Sequence, residues 1–398
     1  MRDAALETRD AGFARAIATE TLRRFGQLDA IVRHFVPKSP PPHKAGATLE
    51  ILLAGTCELL FLDVAPHAAV DAANHLAQED GKAIHFKGLI NAVLRRVSRE
   101  GKSLPIMADL SLNTPEWLRR RWQENYGADI ASAIQFAHLG IPPLDLMLKP
   151  GADEAALFPS ADTLAQDRLR LLGAGNVEAL SGYKDGLWWV QDFAATLPVR
   201  LLGDVKGARV IDLCAAPGGK TMQLAALGAE VTAIDIAAER LCVVEENLSR
   251  LHLNATCIAA DARDWHPVAR APFVLLDAPC TATGTIRRHP DLPWIKSAAD
   301  IAACTTLQGD LLEAAADMTA PGGILVYAVC SLEPEESTEQ IDLFLRARTD
   351  FVRLPITEAE IFDRAFVSPA GDLRTLPSQW SEKGGMDGFF AARLRRAH

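Results

Sequence analysis

Apolar residues recur at helical intervals through the first part of the chain. Phe13, Ile17 and Phe25 keep approximate helix spacing. Leu89, Ile90, Val93, Leu94 and Val97 fall at i, i+1, i+4, i+5 and i+8, the stripe of an amphipathic helix. On that helix Arg95, Arg96 and Arg99 share the other face. The proline-rich stretch 37–43 cannot be helical throughout and reads as a connection. Between about residues 144 and 202 the pattern breaks into short mixed segments punctuated by Pro and Gly. Beyond residue 208, short β-branched runs alternate with helical spacing. The strand candidates are 210–213, 231–234, 255–259, 273–276 and 324–329, and Leu241, Val244, Leu248 and Leu251 mark a helix between two of them. That alternation predicts a parallel, doubly wound sheet. The expected organisation is multidomain: an all-α helical domain over 1–143, a small α/β connecting module over 144–205, and a Rossmann-like α/β domain over 206–398.

In such sheets ligands bind at the carboxyl ends of the strands, and every unusual cluster of the chain falls on one. The first strand runs into D-L-C-A-A-P-G-G-K-T at 212–221. This loop looks like a nucleoside-triphosphatase loop, but Cys214 stands where that pattern needs its first glycine, and Pro217 lies inside it. Gly218 and Gly219 still let backbone amides approach a ligand at a helix amino end. Asp235, 17 residues beyond Gly218, ends the second strand near the place where an acid accepts hydrogen bonds from a ribose. The third strand leads to Asp261, the fourth to Asp277 and Cys280, and the fifth to Cys330. An isolated cysteine is more often a buried small hydrophobe. Two of them beside a strand-end Asp at one nucleoside site suggest thiolate attack on an electrophilic ring.

Composition narrows the classes further. The 398 residues are 49% hydrophobic and 23% charged, a globular balance. Seven cysteines without a C-x-x-C pair argue against a disulfide framework and against a zinc site, and a reducing cytoplasm fits best. Neither a secretory peptide nor a membrane span is expected: the first ten residues lack an apolar core, and the most apolar run, 51–65, is interrupted by Glu58 and Asp63. Residues 1–145 hold 17 Lys/Arg against 17 Asp/Glu, so the net charge of -10 lies entirely beyond them. A nucleic-acid surface must therefore be local.

Four segments carry a family resemblance: 212–221, D-A-P-C-T-A-T-G-T-I-R-R-H-P-D at 277–291, Y-A-V-C-S-L-E-P-E-E at 327–336, and D-G-F-F-A-A-R-L at 387–394. They resemble the signature set of the Sun (Fmu) family of S-adenosylmethionine-dependent RNA cytosine-5 methyltransferases. F-K-G-L-I-N-A-V-L-R-R at 86–96 is similar to the NusB RNA-binding domain fused to the member that acts on small-subunit (16S) ribosomal RNA. Residues Val329, Thr281 and Ser337 depart from the Thr, Ser and Asn that many relatives carry.

The resemblance implies a class I methyltransferase domain with S-adenosyl-L-methionine as cofactor. Cys214, Ala215, Ala216, Pro217, Gly218, Gly219 and Lys220 would cradle its methionine end, Asp235 would hold its ribose, and Asp261 would lie by its adenine. Asp277 would face both cofactor and target base, Cys330 would be the nucleophile, and Cys280 would assist release. Arg95, Arg96, Arg99, Arg287 and Arg288, with His289, are the candidate RNA contacts, against the plainer reading of solvated faces. The expected partner is ribosomal RNA, naked or within a partly assembled small subunit, bound by a monomer without metal. Alternatives left open are another RNA such as tRNA and a non-catalytic NusB-like scaffold. An amino-group methyltransferase would not need Cys330, and a DNA cytosine methyltransferase would carry its nucleophile on the fourth-strand loop.

Overall fold

The computed structural model describes residues 7–38, 41–165, 167–173 and 175–398. The chain divides into two compact units, Met1–Leu139 and Gly140–His398.

The first unit is helical: α1 (Thr8–Arg23), α2 (Phe25–Phe35), α3 (Pro42–Ala45), α4 (Thr48–Phe61), α5 (Pro66–Glu79), α6 (Lys87–Glu100), α7 (Glu116–Tyr126) and α8 (Ala128–His138). Helix α4 is apolar nearly all round, as a central helix must be, and it packs on α1, α2, α5 and α6. The α6 stripe behaves as its spacing predicts: Ile90, Val93, Leu94 and Val97 are buried with Leu28, Ile31 and Leu52, while Arg95, Arg96 and Arg99 are exposed. Two details differ from the pattern. Phe13 stays 46% exposed, and Phe25 opens a second helix instead of continuing the first. The connection expected at 37–43 includes residues 39 and 40, which lie outside the described residues, and its last part enters α3.

The second unit begins with a small antiparallel sheet of β1 (Leu144–Leu148), β2 (Asp162–Ala165), β3 (Arg168–Leu171) and β4 (Trp188–Val190), in the order β2-β3-β1-β4, with α9 (Glu154–Leu157) between β1 and β2. Helix α10 (Phe193–Arg200) leads to the main sheet, and the Asp192 side chain caps it by accepting from the Ala194 amide at 2.9 Å. The main sheet contains β5 (Arg209–Leu213), β6 (Glu230–Asp235), β7 (Thr256–Ala259), β8 (Ala271–Asp277), β9 (Thr319–Val329), β10 (Phe351–Arg353), β11 (Leu373–Thr375) and β12 (Phe389–Arg396). Its order is β10-β12-β9-β8-β5-β6-β7, with β11 also on β12.

Strands β5 to β9 are the five predicted runs, and they pair in parallel. Helices α11 (Gly219–Ala226), α12 (Ala238–Arg250), α13 (Leu292–Ile295), α14 (Ala298–Met318) and α15 (Thr338–Ala347) connect or flank them. Leu213, Val274, Leu276, Leu325 and Tyr327 are buried, as expected of strands covered on both faces. Strand β12 was not foreseen as a strand. It is antiparallel to β9, and its run of Phe, Ala, Leu and Arg has no β-branched residue to announce it. Strand order reverses between β5 and β8, so the chain's switch point opens at their carboxyl ends.

Candidate active site

A cavity of about 480 Å³ opens at that switch point. Its wall includes Asp212, Ala215, Pro217, Gly219 and Lys220 from the first loop, Asp277 from β8, Cys330 after β9, and Trp189 and Gln191 from the small sheet's edge. A larger cavity of about 610 Å³ lies at the opposite ends of β5 and β6, lined by residues such as Arg209 and Glu230, and contains none of the predicted site residues.

The first loop turns sharply. Cys214 has φ 58 and Gly218 φ 100, and a Cβ on Gly218 would stand 3.0 Å from a Val244 methyl, so glycine is required there. The amino end of α11 then faces the cavity through Gly219 and Lys220. Burial pushes the Cys214 thiol up to about 12, so this cysteine is a packing group in the turn. Asp212 is fully buried beneath it. Its Oδ2 accepts from Thr221 Oγ1 at 2.6 Å, whereas its Oδ1 has no hydrogen-bond partner among the described residues. Burial raises this carboxyl to about 7. An unpartnered carboxylate oxygen beside a helix amino end suits a zwitterionic amino-acid group, with ammonium on the first and carboxylate near the second. The methionine end of S-adenosylmethionine is such a group.

The remaining predicted cofactor residues are arranged around this loop. Asp235 is 3% exposed, and its carboxylate accepts from the Ala216 and Ala237 amides, each at 3.0 Å. Asp261 lies at the end of β7, gripped by Arg263 at 2.6 Å, and that hydrogen bond holds its carboxyl below the usual range. Neither acid is part of the cavity wall. The Lys220 ammonium donates to Asp277 Oδ2 at 2.7 Å and sits 4.8 Å over the Phe389 ring.

The two predicted cysteines converge from 50 positions apart: Cys280 Sγ and Cys330 Sγ are 3.5 Å from each other. Their loops are interlocked. The Gly284 amide donates to Cys330 O at 3.0 Å, and a Cβ on Gly284 would collide with Gly388 O at 2.0 Å. Leu332 N donates to Thr283 Oγ1 at 2.9 Å. The Cys280 thiol is raised well above its ordinary value, first by its hydrogen bond to Cys330 and then by burial, so Cys280 retains its proton.

One predicted contact requires correction. Arg287 was expected at RNA, yet it is only 2% exposed; its guanidinium pairs with Asp192 at 2.5 Å and with Asp387 at 2.6 Å. A desolvated arginine held by two carboxylates cannot turn to a phosphate without leaving both buried charges unpaired. Arg288 joins the same two acids at 2.6 and 3.0 Å and reaches the cavity wall. Burial works to raise Asp192, but Arg287 and Arg288 overcome it and hold the carboxyl below the usual range. His289 is exposed. On α6, Arg96 pairs with Glu100 at 3.1 Å and lies 4.7 Å over Phe35, and Arg95 donates to Asn91 at 3.2 Å.

The sequence reading assigned no role to Asp212, Asp192, Asp387 or Glu336. Signals existed for the first two: Asp212 is an acid inside an apolar strand, and Asp192 precedes a helical segment in the manner of a cap. Among the described residues no helix is long and apolar enough to cross a membrane, and no cluster of His, Cys, Asp or Glu could hold a metal ion.

Comparison with known proteins agrees with this geometry. Residues 199–395 match the family model described as 16S rRNA methyltransferase RsmB/F, and residues 1–99 match the NusB family. The ribosomal RNA small subunit methyltransferase B of Pseudomonas syringae pv. tomato is 38% identical over 98% of this chain and 90% of its own length. The enzyme of the same name from Escherichia coli (strain K12) is 34% identical over 97% and 90%. The crystal structure of PH0851 covers 99% of this chain and 92% of its own, with a TM-score of 0.82 and 24% identity, a likeness of fold.

Proposed function

This chain belongs to the 16S rRNA methyltransferase RsmB/F family, and from that premise we propose that it methylates carbon 5 of a cytosine in small-subunit ribosomal RNA through a covalent adduct with Cys330. The observation that carries this reading is the 3.5 Å approach of Cys330 and Cys280 beside Asp277, at the cavity bordered by the glycine loop. S-adenosylmethionine, the family's cofactor, supplies an electrophilic methyl group when bound. Asp212, Gly218 and Gly219 would hold its amino-acid end, and Asp235 and Asp261 its nucleoside.

The chemistry explains the need for two sulfurs. Carbon 5 of cytosine is a poor nucleophile in the aromatic ring. Addition of a Cys330 thiolate to carbon 6 makes the ring enamine-like and splits a hard step into two easier ones. The base must leave its stack for its face to be reached. Asp277, steadied by Lys220, would bind the polar edge of the ring as electron density moves through it. The hydrogen bond to Cys330, and then burial, hold the Cys280 thiol well above its ordinary value, so Cys280 carries its proton while Cys330 is free. Once Cys330 is bonded to carbon 6 that hydrogen bond between the two sulfurs is lost, while burial still acts on Cys280. Cys280 can then lose its proton to solvent and accept the one on carbon 5, and Cys330 departs.

The test is a denaturing gel of full-length protein with small-subunit RNA and labelled cofactor. Cys330→Ala should show neither methylation nor adduct, a loss of at least about 10⁴-fold in turnover. Cys280→Ala should accumulate methylated RNA bonded to protein. Full turnover by Cys330→Ala would rule out the covalent route, and the opposite gel pattern would exchange the two roles.

A further inference from the structure

Beneath the thiol pair lies a side chain that the reaction scheme does not use. Glu336 is completely buried, and its carboxylate accepts from the backbone or side chains of Thr281, Gln308 and Ser331. Oε1 receives the Thr281 amide at 2.8 Å and Gln308 Nε2 at 3.1 Å; Oε2 receives Ser331 Oγ at 2.5 Å and the Thr281 hydroxyl. Thr281 is the residue after Cys280, and Ser331 is the residue after Cys330. Gln308 also donates to Pro279 O at 2.9 Å, on the other side of Cys280. The carboxylate is itself anchored, since Tyr327 Oη donates to the Glu336 carbonyl at 2.8 Å. The sulfurs lie on the ends of neighbouring strands, β8 and β9, but the strand register stops at Asp277 and Ala328. Beyond that point the two loops are joined by the Gly284–Cys330 and Leu332–Thr283 hydrogen bonds, by a 3.4 Å approach of the Thr281 and Ser331 hydroxyls, and by the Glu336 carboxylate, which binds the residue after each cysteine at once.

We infer that Glu336 is the positioning residue of the thiol pair: one buried carboxylate, bonded to the residues that follow Cys280 and Cys330, sets the separation over which the second sulfur acts on an adduct held by the first. This rests on the covalent reading given above for its chemical consequence, but its geometric content stands apart from that reading. A buried carboxylate bonded to both loops favours one arrangement of them, and a displacement of about 1 Å at reacting groups costs about 100-fold in rate. A glutamine keeps acceptors only for the two N–H groups at Oε1; at the other position its NH2 forces the Ser331 and Thr281 hydroxyls to accept, and their own protons lose the carboxylate they now donate to.

Two readouts test the inference on the full-length protein. The first is the rate at which dibromobimane, a reagent that fluoresces strongly only after bridging two thiols, links Cys280 to Cys330, with Cys280→Ala and Cys330→Ala as blanks. The second is steady-state methylation of small-subunit RNA, with kcat separated from KM and the denaturing-gel adduct quantified. Glu336→Gln should bridge more slowly than wild type. Its kcat should fall about 100-fold with KM for cofactor unchanged, and a larger share of RNA should remain bonded to protein because release suffers more than attack. Ser331→Ala and Thr281→Val each remove one arm and should show the same changes to a smaller degree. They also serve if Glu336→Gln does not fold. Bridging and kcat at wild-type values in Glu336→Gln overturn the inference, as do wild-type values in both single-arm variants. Should Cys330→Ala turn over, the covalent route falls, yet the bridging rates still decide whether Glu336 sets the thiol separation.

Discussion

Two arginine clusters of this chain carry positive charge into opposite surroundings. Arg287 and Arg288 stand between Asp192 and Asp387 beside the cavity, with side-chain exposures of 2% and 24%. Arg95, Arg96 and Arg99 lie exposed on α6, where Arg96 and Arg99 pair with Glu100, Arg95 donates to Asn91, and Arg96 lies over the Phe35 ring. In the first cluster each guanidinium replaces lost hydration with two carboxylates, so the arginines act as internal struts joining the turn after Cys280 to the segment before α10 and to the turn before β12. In the second cluster water still solvates the charge. A basic run therefore reports charge, and burial decides whether that charge holds the fold or meets a partner.

The largest expected effect comes from breaking the buried cluster. Arg287→Ala leaves Asp192 and Asp387 with fewer cations in a desolvated site and should lower unfolding stability by about 3 to 5 kcal/mol, read by urea denaturation. A change within about 0.5 kcal/mol, the size of an ordinary surface substitution, would show that the buried cluster is no strut.

Asp212 sharpens the comparison from the acidic side, because it is buried like Arg287 yet keeps one oxygen unpaired. Its folded carboxyl is raised to about 7, above the unfolded value. The stability it contributes is therefore fully present below the ordinary carboxylate range and is lost as pH rises through about 7. A cationic ammonium reverses the consequence for binding: affinity for S-adenosylmethionine should rise over that same interval. Asp212→Asn should weaken binding by about 1.5 to 3 kcal/mol at alkaline pH and flatten its pH dependence. Calorimetry at several pH values checks both, and a wild-type affinity that stays level through neutrality would remove Asp212 from the binding site.

The smallest effect belongs to the exposed cluster. Charge reversal of Arg95, Arg96 and Arg99 should leave stability and cofactor affinity unchanged while reducing the slope of log affinity for RNA against log salt, by about 0.7 for each lost single-strand phosphate contact. Binding identical to wild type throughout a salt titration would make these residues a solvated face and confine RNA recognition to other surfaces.

Much of this architecture was legible along the chain. The five parallel strands follow β-branched runs, the α6 stripe follows helical spacing, and the glycine loop and both cysteines fall at strand ends, where a parallel sheet collects its ligands. These are local signals, or consequences of βα alternation. Strand β12 escaped because, after Phe389 and Phe390, its Ala, Arg and Leu residues favour helix over strand and its pairing partner is distant in sequence. Glu336 was visible only as a letter in a motif, since an acid looks equally solvated in sequence whether it is exposed or fully enclosed.

Periodicity and alternation thus determined by themselves which elements form and toward which end of the sheet the chemistry points, because both depend on residues near one another in the chain. Only the tertiary structure decided that Cys280 meets Cys330 at 3.5 Å, that Glu336 joins their loops, and that Arg287 faces two aspartates instead of RNA. Those outcomes depend on the loss of water around particular groups and on partners 50 to 100 positions away. Desolvation is a property of the packed neighbourhood, and no local pattern of residues encodes it.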